Sequence, residues 1–269
     1  MNRQAVVAGQ FYPGTPTELM AQVGQYISAA ETPSERRTLL AMAPHAGYVF
    51  SGAVAGATIG KANLADTVIL LGPNHTGLGD RLAVWTEDSW LFPGHNVPVD
   101  SALAQAIIAT NTGFQADNLA HAREHSLEVM LPFLVAKNPK TTIVPIAVSQ
   151  TNPHDLANAA HGLAQAISAS PAPVSILVSS DMSHYISAED AKTLDSMALQ
   201  AIVELRPDRL YNTVRENGIT MCGVLPMTLG LAAAIKLGAQ QATIVSYSNS
   251  GQVNGDTSRV VGYAGVIVD

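Results

Sequence analysis

The sequence predicts an α/β protein with a mostly parallel central sheet covered by helices on both faces, and three observations predict it. Short β-branched or aliphatic runs are bounded by Gly, Pro, Asn or Ser, and segments with apolar residues at helical spacing alternate with them. Apolar residues make up 47% of the 269 and charged residues only 13%, which fills a large core and argues against disorder. No low-complexity linker and no repeat of solenoid length breaks the alternation, so one domain over residues 1–269 is expected.

Along the chain, a first helix is predicted over residues 17–30, opened by Thr17, and a first strand over 39–43, apolar at every position and so suited to burial on both faces. A helix opened by Ser51 runs over 51–62, followed by strands at 67–72 and 81–85. Helices opened by Ser101 and Ser126 are expected over 101–110 and 126–136, then a strand over 142–148 and a helix over 153–169. The aliphatic run 174–180 reads as another buried strand, 188–205 and 225–237 as helices, and 243–248 and 259–268 as the last two strands.

Composition also excludes functions. A net charge of −7 with fourteen basic residues scattered along the chain does not supply the clustered cations that nucleic acid requires. The opening stretch lacks the charged-then-apolar pattern of a signal peptide, and the longest apolar run, 223–235, falls short of the roughly 20 residues needed to span a bilayer. With a single cysteine no internal disulfide forms, and a reducing, cytoplasmic setting without membrane attachment is expected.

Ligands of open α/β sheets bind beyond the carboxyl ends of the strands. Three of the eight histidines fall there: His45 in Pro44-His45-Ala46-Gly47, His75 in Pro73-Asn74-His75-Thr76-Gly77, and His184 at the end of Ser179-Ser180-Asp181-Met182-Ser183-His184. The 30 residues between His45 and His75 make about one strand-helix-strand unit, so the two should leave neighbouring strands on the same side. Neutral imidazole is the commonest metal ligand and needs an orienting acceptor, for which Asp181 and Asn74 are candidates. Cys222 precedes the helical pattern at 225, where the helix dipole would favour a thiolate.

These residues sit inside an ordered series: Gly9-Gln10-Phe11-Tyr12-Pro13, Ala43-Pro44-His45-Ala46-Gly47-Tyr48, Leu71-Gly72-Pro73-Asn74-His75, Glu124-His125-Ser126-Leu127-Glu128, Ser179-Ser180-Asp181-Met182-Ser183-His184-Tyr185, Cys222-Gly223 and Gly255-Asp256-Thr257-Ser258-Arg259-Val260. From residue 9 to the C-terminus it resembles the motif series of the Memo family. The resemblance implies a three-layer αβα fold, with a mostly parallel or mixed sheet, similar to class III extradiol dioxygenases. It implies a metal held by His45, His75 and Cys222, with His184 at the position of an acid/base histidine and His125 in a motif lining the same cleft; with Asp181, a candidate for orienting or substrate contacts, these are the candidate catalytic residues.

Where the dioxygenases hold iron with two histidines and a carboxylate, a softer thiolate stands here, which suits iron at an altered potential, copper or zinc. The expected function is that of a metal-dependent, dioxygenase-like oxidoreductase acting on a small molecule or peptide in the cleft. The resemblance also implies an alternative, a non-catalytic metal-dependent adaptor beside a radical S-adenosylmethionine enzyme in the microbial AmmeMemoRadiSam system. A third reading takes His121-Ala122-Arg123-Glu124-His125 as the H-x-x-E-H motif of a zinc hydrolase, which requires both histidines on one face of a regular helix. His154 and His161 are expected to face solvent, His95 to sit in a loop, and Trp85 and Trp90 to pack in the interior.

Overall fold

A computed structural model of the chain describes residues 1–30 and 34–269. In chain order its strands are β1 (Asn2–Arg3), β2 (Leu40–Ala43), β3 (Thr67–Pro73), β4 (Leu82–Val84), β5 (Ser89–Phe92), β6 (His95–Pro98), β7 (Gln115–Ala116), β8 (Thr142–Val148), β9 (Val174–Ser179), β10 (His184–Ile186), β11 (Ala242–Asn249) and β12 (Val260–Val268). The helices are α1 (Pro16–Ser28), α2 (Tyr48–Lys61), α3 (Ser101–Ile108), α4 (Leu131–Lys137), α5 (Pro153–Ala169), α6 (Ala188–Val203), α7 (Pro207–Glu216), α8 (Val224–Lys236) and α9 (Gly251–Asn254).

The main sheet has nine strands in the order β10-β12-β2-β9-β3-β8-β4-β7, with β11 paired to β12 off that path. Its centre, β2-β9-β3-β8, is parallel, and β12 and β4 flank it antiparallel, so the sheet is mixed. The parallel strands bury both faces. Leu40 and Met42 of β2, with Ile69 and Leu71 of β3, pack into the apolar cluster formed with α3, α5, α6, α7 and α8. Ala41, Ala43, Val68 and Leu70, one residue out of phase, pack into the cluster formed with α1, α2 and α4. This two-faced burial by period-2 alternation makes three layers of the molecule.

Most strand expectations hold to within a residue or two, and four features differ. First, β2 and β3 are not neighbours, because β9 lies between them, with Ala43 opposite Ser179 and Leu71 opposite Val178. The loops after all three strands therefore open on one edge, with the β9 loop in the middle. Second, the helix expected over 126–136 begins as a 3-10 turn, Glu128–Met130, and becomes α-helical at Leu131, with Pro132 in its first turn. Third, the helix expected over 188–205 stops at Val203: Leu205 takes a left-handed conformation with φ 55°, and Pro207 opens a separate helix. His95 begins a strand of the β5–β6 hairpin rather than lying in a loop, and its ring stacks on Phe92. His154 and His161 are exposed and Trp85 and Trp90 are buried.

Candidate metal centre

His45 lies two residues beyond β2, His75 two beyond β3, and the segment after β9 carries Asp181 and His184. Proline follows β2 at Pro44 and ends β3 at Pro73, so the chain turns away from the sheet at the point where each histidine is needed. His125 comes from the connection between the short helical turn Leu119–His121 and the 3-10 turn at Glu128, and meets the other two histidines over the strand ends. A metal-binding nitrogen from each of His45, His75 and His125 lies within 4.8 Å of the others. The His75 and His125 rings stack with centroids 4.9 Å apart, and His45 stands edge-on to both at 5.3 and 5.5 Å. Phe11, from the N-terminal motif, packs on His125 at 4.8 Å.

The hydrogen-bond network fixes which nitrogens are free. The Ser179 hydroxyl donates its one proton to the Ser126 carbonyl at 2.6 Å, so its contact at 2.7 Å with His45 Nδ1 assigns the proton to that nitrogen. His45 Nε2 then presents a lone pair, and the Cys222 sulfur lies 3.4 Å from it. On His75, Nδ1 faces the Glu124 carboxylate at 2.9 Å, and Glu124 also accepts the backbone N–H groups of His75 and Ser126. Glu124 is fully buried, which by itself raises a carboxyl pKa; the His75 ring and those two N–H groups outweigh burial and hold it at about 2. His75 Nε2 is thereby left free.

The electrostatics of the three rings diverge. Burial lowers His45 well below the usual histidine range, and the neighbouring His75 and His125 lower it further. Burial also lowers His125, only partly offset by Glu124. For His75 burial opposes charge but Glu124 wins, and its pKa is raised. Cys222 departs from the sequence expectation. Although it stands just ahead of α8, burial pushes its thiol pKa up, and the Asp181 carboxylate adds to the rise. Desolvation outweighs the helix dipole, so without a metal the group is a neutral thiol.

Other residues singled out in the sequence have different partners from those expected. Asp181 does not reach an imidazole ring; its Oδ1 accepts the His45 backbone N–H at 2.8 Å, and its own N–H donates to the Cys222 sulfur at 3.3 Å. Asn74 caps its own turn, accepting from Thr76 and Gly77. Tyr48 is buried with its hydroxyl on the Val129 carbonyl. His184 is half-buried on β10; its Nδ1 donates to the Thr220 carbonyl at 2.9 Å, which leaves Nε2 as an acceptor.

The H-x-x-E-H reading is overturned. His121 is fully buried against Trp85 and Trp90, with Nε2 donating to the Ala83 carbonyl, while His125 joins the other cluster. No regular helix spans the five residues, so the two rings part. The residues that orient the candidate ligands, Glu124 and Ser179, stand within the motifs quoted above, yet nothing in the sequence distinguished them from neighbouring polar positions.

The sequence profile of the Memo family, described as Memo-like protein, matches residues 3–267. The chain belongs to the Memo family. Among curated Memo-family relatives, each named MEMO1 family protein, that of Methanosarcina barkeri is 38% identical over 99% of this chain and 100% of its own. That of Aquifex aeolicus is 37% identical over 98% of each, and that of Thermotoga petrophila 34% identical over the whole of both. Among solved structures, an uncharacterised protein from Escherichia coli K12 matches with a TM-score of 0.53 at 14% identity, over 85% of this chain and 99% of that one. That likeness is one of fold. The three-histidine cluster of this Memo-family chain offers a site for a metal ion, and no helix among the described residues is long and apolar enough to cross a membrane.

Proposed function

We propose that this Memo-family chain is a metal-dependent oxidoreductase whose iron or copper is held by His45, His75 and Cys222. The observation that carries the reading is the 3.4 Å approach of the Cys222 sulfur to the lone-pair nitrogen of His45. A sulfur and an imidazole nitrogen sharing one tetrahedral ion at the usual bond lengths stand about 3.5 Å apart. The two imidazoles are also oriented as ligands, since the far nitrogens of His45 and His75 are each anchored to an acceptor, while the group whose ligand atoms lie within 4.8 Å of one another is His45, His75 and His125, without the sulfur. One thiolate with two imidazoles suits copper, iron or zinc, and the similarity of fold to class III extradiol dioxygenases that the Memo resemblance implies favours the two redox metals.

When bound, such an ion supplies Lewis-acid and one-electron chemistry at an open position. The chain's own residues do the rest. His45, kept neutral by burial, holds its donor nitrogen without a competing proton. His125, stacked on His75 and covered by Phe11, would hydrogen-bond a substrate group beside the ion. His184, with its proton fixed on Nδ1 by Thr220, offers Nε2 as a base. A cleft of 550 Å³ that reaches Cys222 gives a small molecule access.

Elemental analysis of protein purified without chelators or affinity metals tests the reading, beside Cys222→Ser and His125→Ala. Wild type and His125→Ala should carry about one iron or copper per chain, and Cys222→Ser should lose most of it. If Cys222→Ser keeps its metal while His125→Ala loses it, three histidines hold the ion and the sulfur assignment fails.

A further inference from the structure

We propose that the cleft beside Cys222 is an anion-binding subsite, in which Arg81 and Arg215 hold a carboxylate or phosphate group of the substrate while the rest of that molecule faces the Cys222 sulfur. The proposal names the substrate class for the centre described above and rests on that reading for the chemistry at the sulfur.

The cleft's 550 Å³ is lined by Arg81, Gln150, Thr151, Tyr211, Arg215 and Cys222, among others. Arg81 stands at the start of β4 with its backbone carbonyl tied to the Ser149 N–H, and Arg215 stands in the last turn of α7. Both are exposed, and neither has a carboxylate within ion-pair distance among the described residues. Their neighbours behave otherwise: Arg206 pairs with Asp208 and Arg209 with Glu204 around the start of the same α7. Asp155 lines a smaller adjoining cavity that shares Arg81 and Thr151 with this one, without pairing to Arg81.

In a chain of net charge −7, two guanidiniums that line one cleft without a carboxylate partner among the described residues are a local reversal of sign. A guanidinium matches carboxylate and phosphate with two parallel hydrogen bonds, which an ammonium does not. Arg215 lies over the Tyr211 ring at 5.5 Å, a cation–π contact that limits its motion before any ligand arrives. Gln150 and Thr151 add neutral donors. Val224 and Leu225, in the first turn of α8, also line the cleft, and the dipole at that end of the helix has the same sign.

Cys222 is the only cysteine, so its alkylation reports the potential in the cleft. On metal-free protein at pH 9, the rate with iodoacetate is divided by the rate with neutral iodoacetamide. The Arg81→Ala/Arg215→Ala double variant should lower that ratio about tenfold; a change in the thiolate fraction of Cys222 slows both reagents alike and cancels in the ratio, and an unchanged near-UV circular dichroism spectrum is the control for folding. Inorganic phosphate and succinate are then added separately as competitors. Protection of wild type by phosphate, by succinate or by both assigns the anion; protection should vanish in the double variant.

An unchanged ratio, or protection by neither anion, overturns the subsite. Because no metal is present, the outcome separates from that of the metal reading. If Cys222→Ser still loads iron or copper while the ratio depends on the arginines, the sulfur assignment falls and the anion site stands.

Discussion

The Ser179 hydroxyl shows how much of the centre depends on one proton. It passes that proton to Ser126 and receives one from His45, so the nitrogen aimed at Cys222 is left with a lone pair. Ser179→Ala removes the acceptor without altering the fold, and metal affinity should drop by roughly 10–100-fold, as for other partners of ligating histidines. Titration of apo-protein with iron or copper reads this directly, and an unchanged affinity would show that His45 keeps its orientation by packing alone.

His121 carries a second prediction at this scale. Burial lowers its pKa to about 4, and its Nδ1 has no partner. A histidine whose folded pKa is depressed takes up its proton more readily when unfolded. Stability is therefore full above about pH 6.5 and falls as pH drops through the window toward 4. Between pH 7 and 4.5 this one ring costs about 2 kcal/mol. His121→Gln keeps a donor for the Ala83 carbonyl and should lose that much less stability over the window in urea unfolding of metal-free protein. The depressed His45 and His125 contribute with the same sign and are common to both proteins.

Among the elements, the segment that delivers Glu124 and His125 is the one least supported by regular structure, and a buried ion pair holds it. Arg3 pairs with Glu128 at 2.7 Å, both fully or almost fully buried, and donates to the carbonyls of His121 and Glu124 while lying over Trp90 at 4.1 Å. Glu128 in turn accepts from Tyr12 and from the backbone N–H groups of Val6 and Val7. The N-terminal strand thus pins a loop more than a hundred residues away. Removing one partner of such a pair leaves a buried charge uncompensated, at about 3–5 kcal/mol. Arg3→Met should lose about that much in urea unfolding, and hydrogen exchange should speed up across residues 119–130 ahead of the sheet. A uniform loss of protection would mean the pair serves global stability instead.

At the scale of the whole molecule, the candidate donors come from four separate stretches of chain around residues 45, 75, 125 and 222. An ion that binds only their folded arrangement adds its binding free energy to stability, about 2.7 kcal/mol at a hundredfold excess over Kd. For a chain of this size that is on the order of 5–10 °C in Tm. Calorimetry of loaded and metal-free protein should show the difference, and Cys222→Ser should abolish most of it. Because burial keeps the thiol protonated in the metal-free state, loading releases that proton, and affinity should rise at least about tenfold per pH unit, more steeply on the acid side where His75, its pKa raised by Glu124, must also lose a proton to bind. A flat pH dependence would mean that the sulfur does not deprotonate on loading.

The layers and the strand ends were legible in the chain's local pattern. Runs such as 67–73 and 142–148, apolar at nearly every position, have only one way to be buried, between two layers of helices, and the prolines at 44 and 73 mark where the chain leaves the sheet with a histidine close behind. Only the tertiary structure decided what these histidines meet. That β9 enters between β2 and β3, that Ser179 and Glu124 rather than Asp181 and Asn74 orient the rings, and that His121 turns inward while His125 joins the cluster all follow from long-range packing. So does the state of Cys222: a local pattern registers the start of a helix, but desolvation is a property of everything that surrounds the sulfur, and here it is the stronger effect.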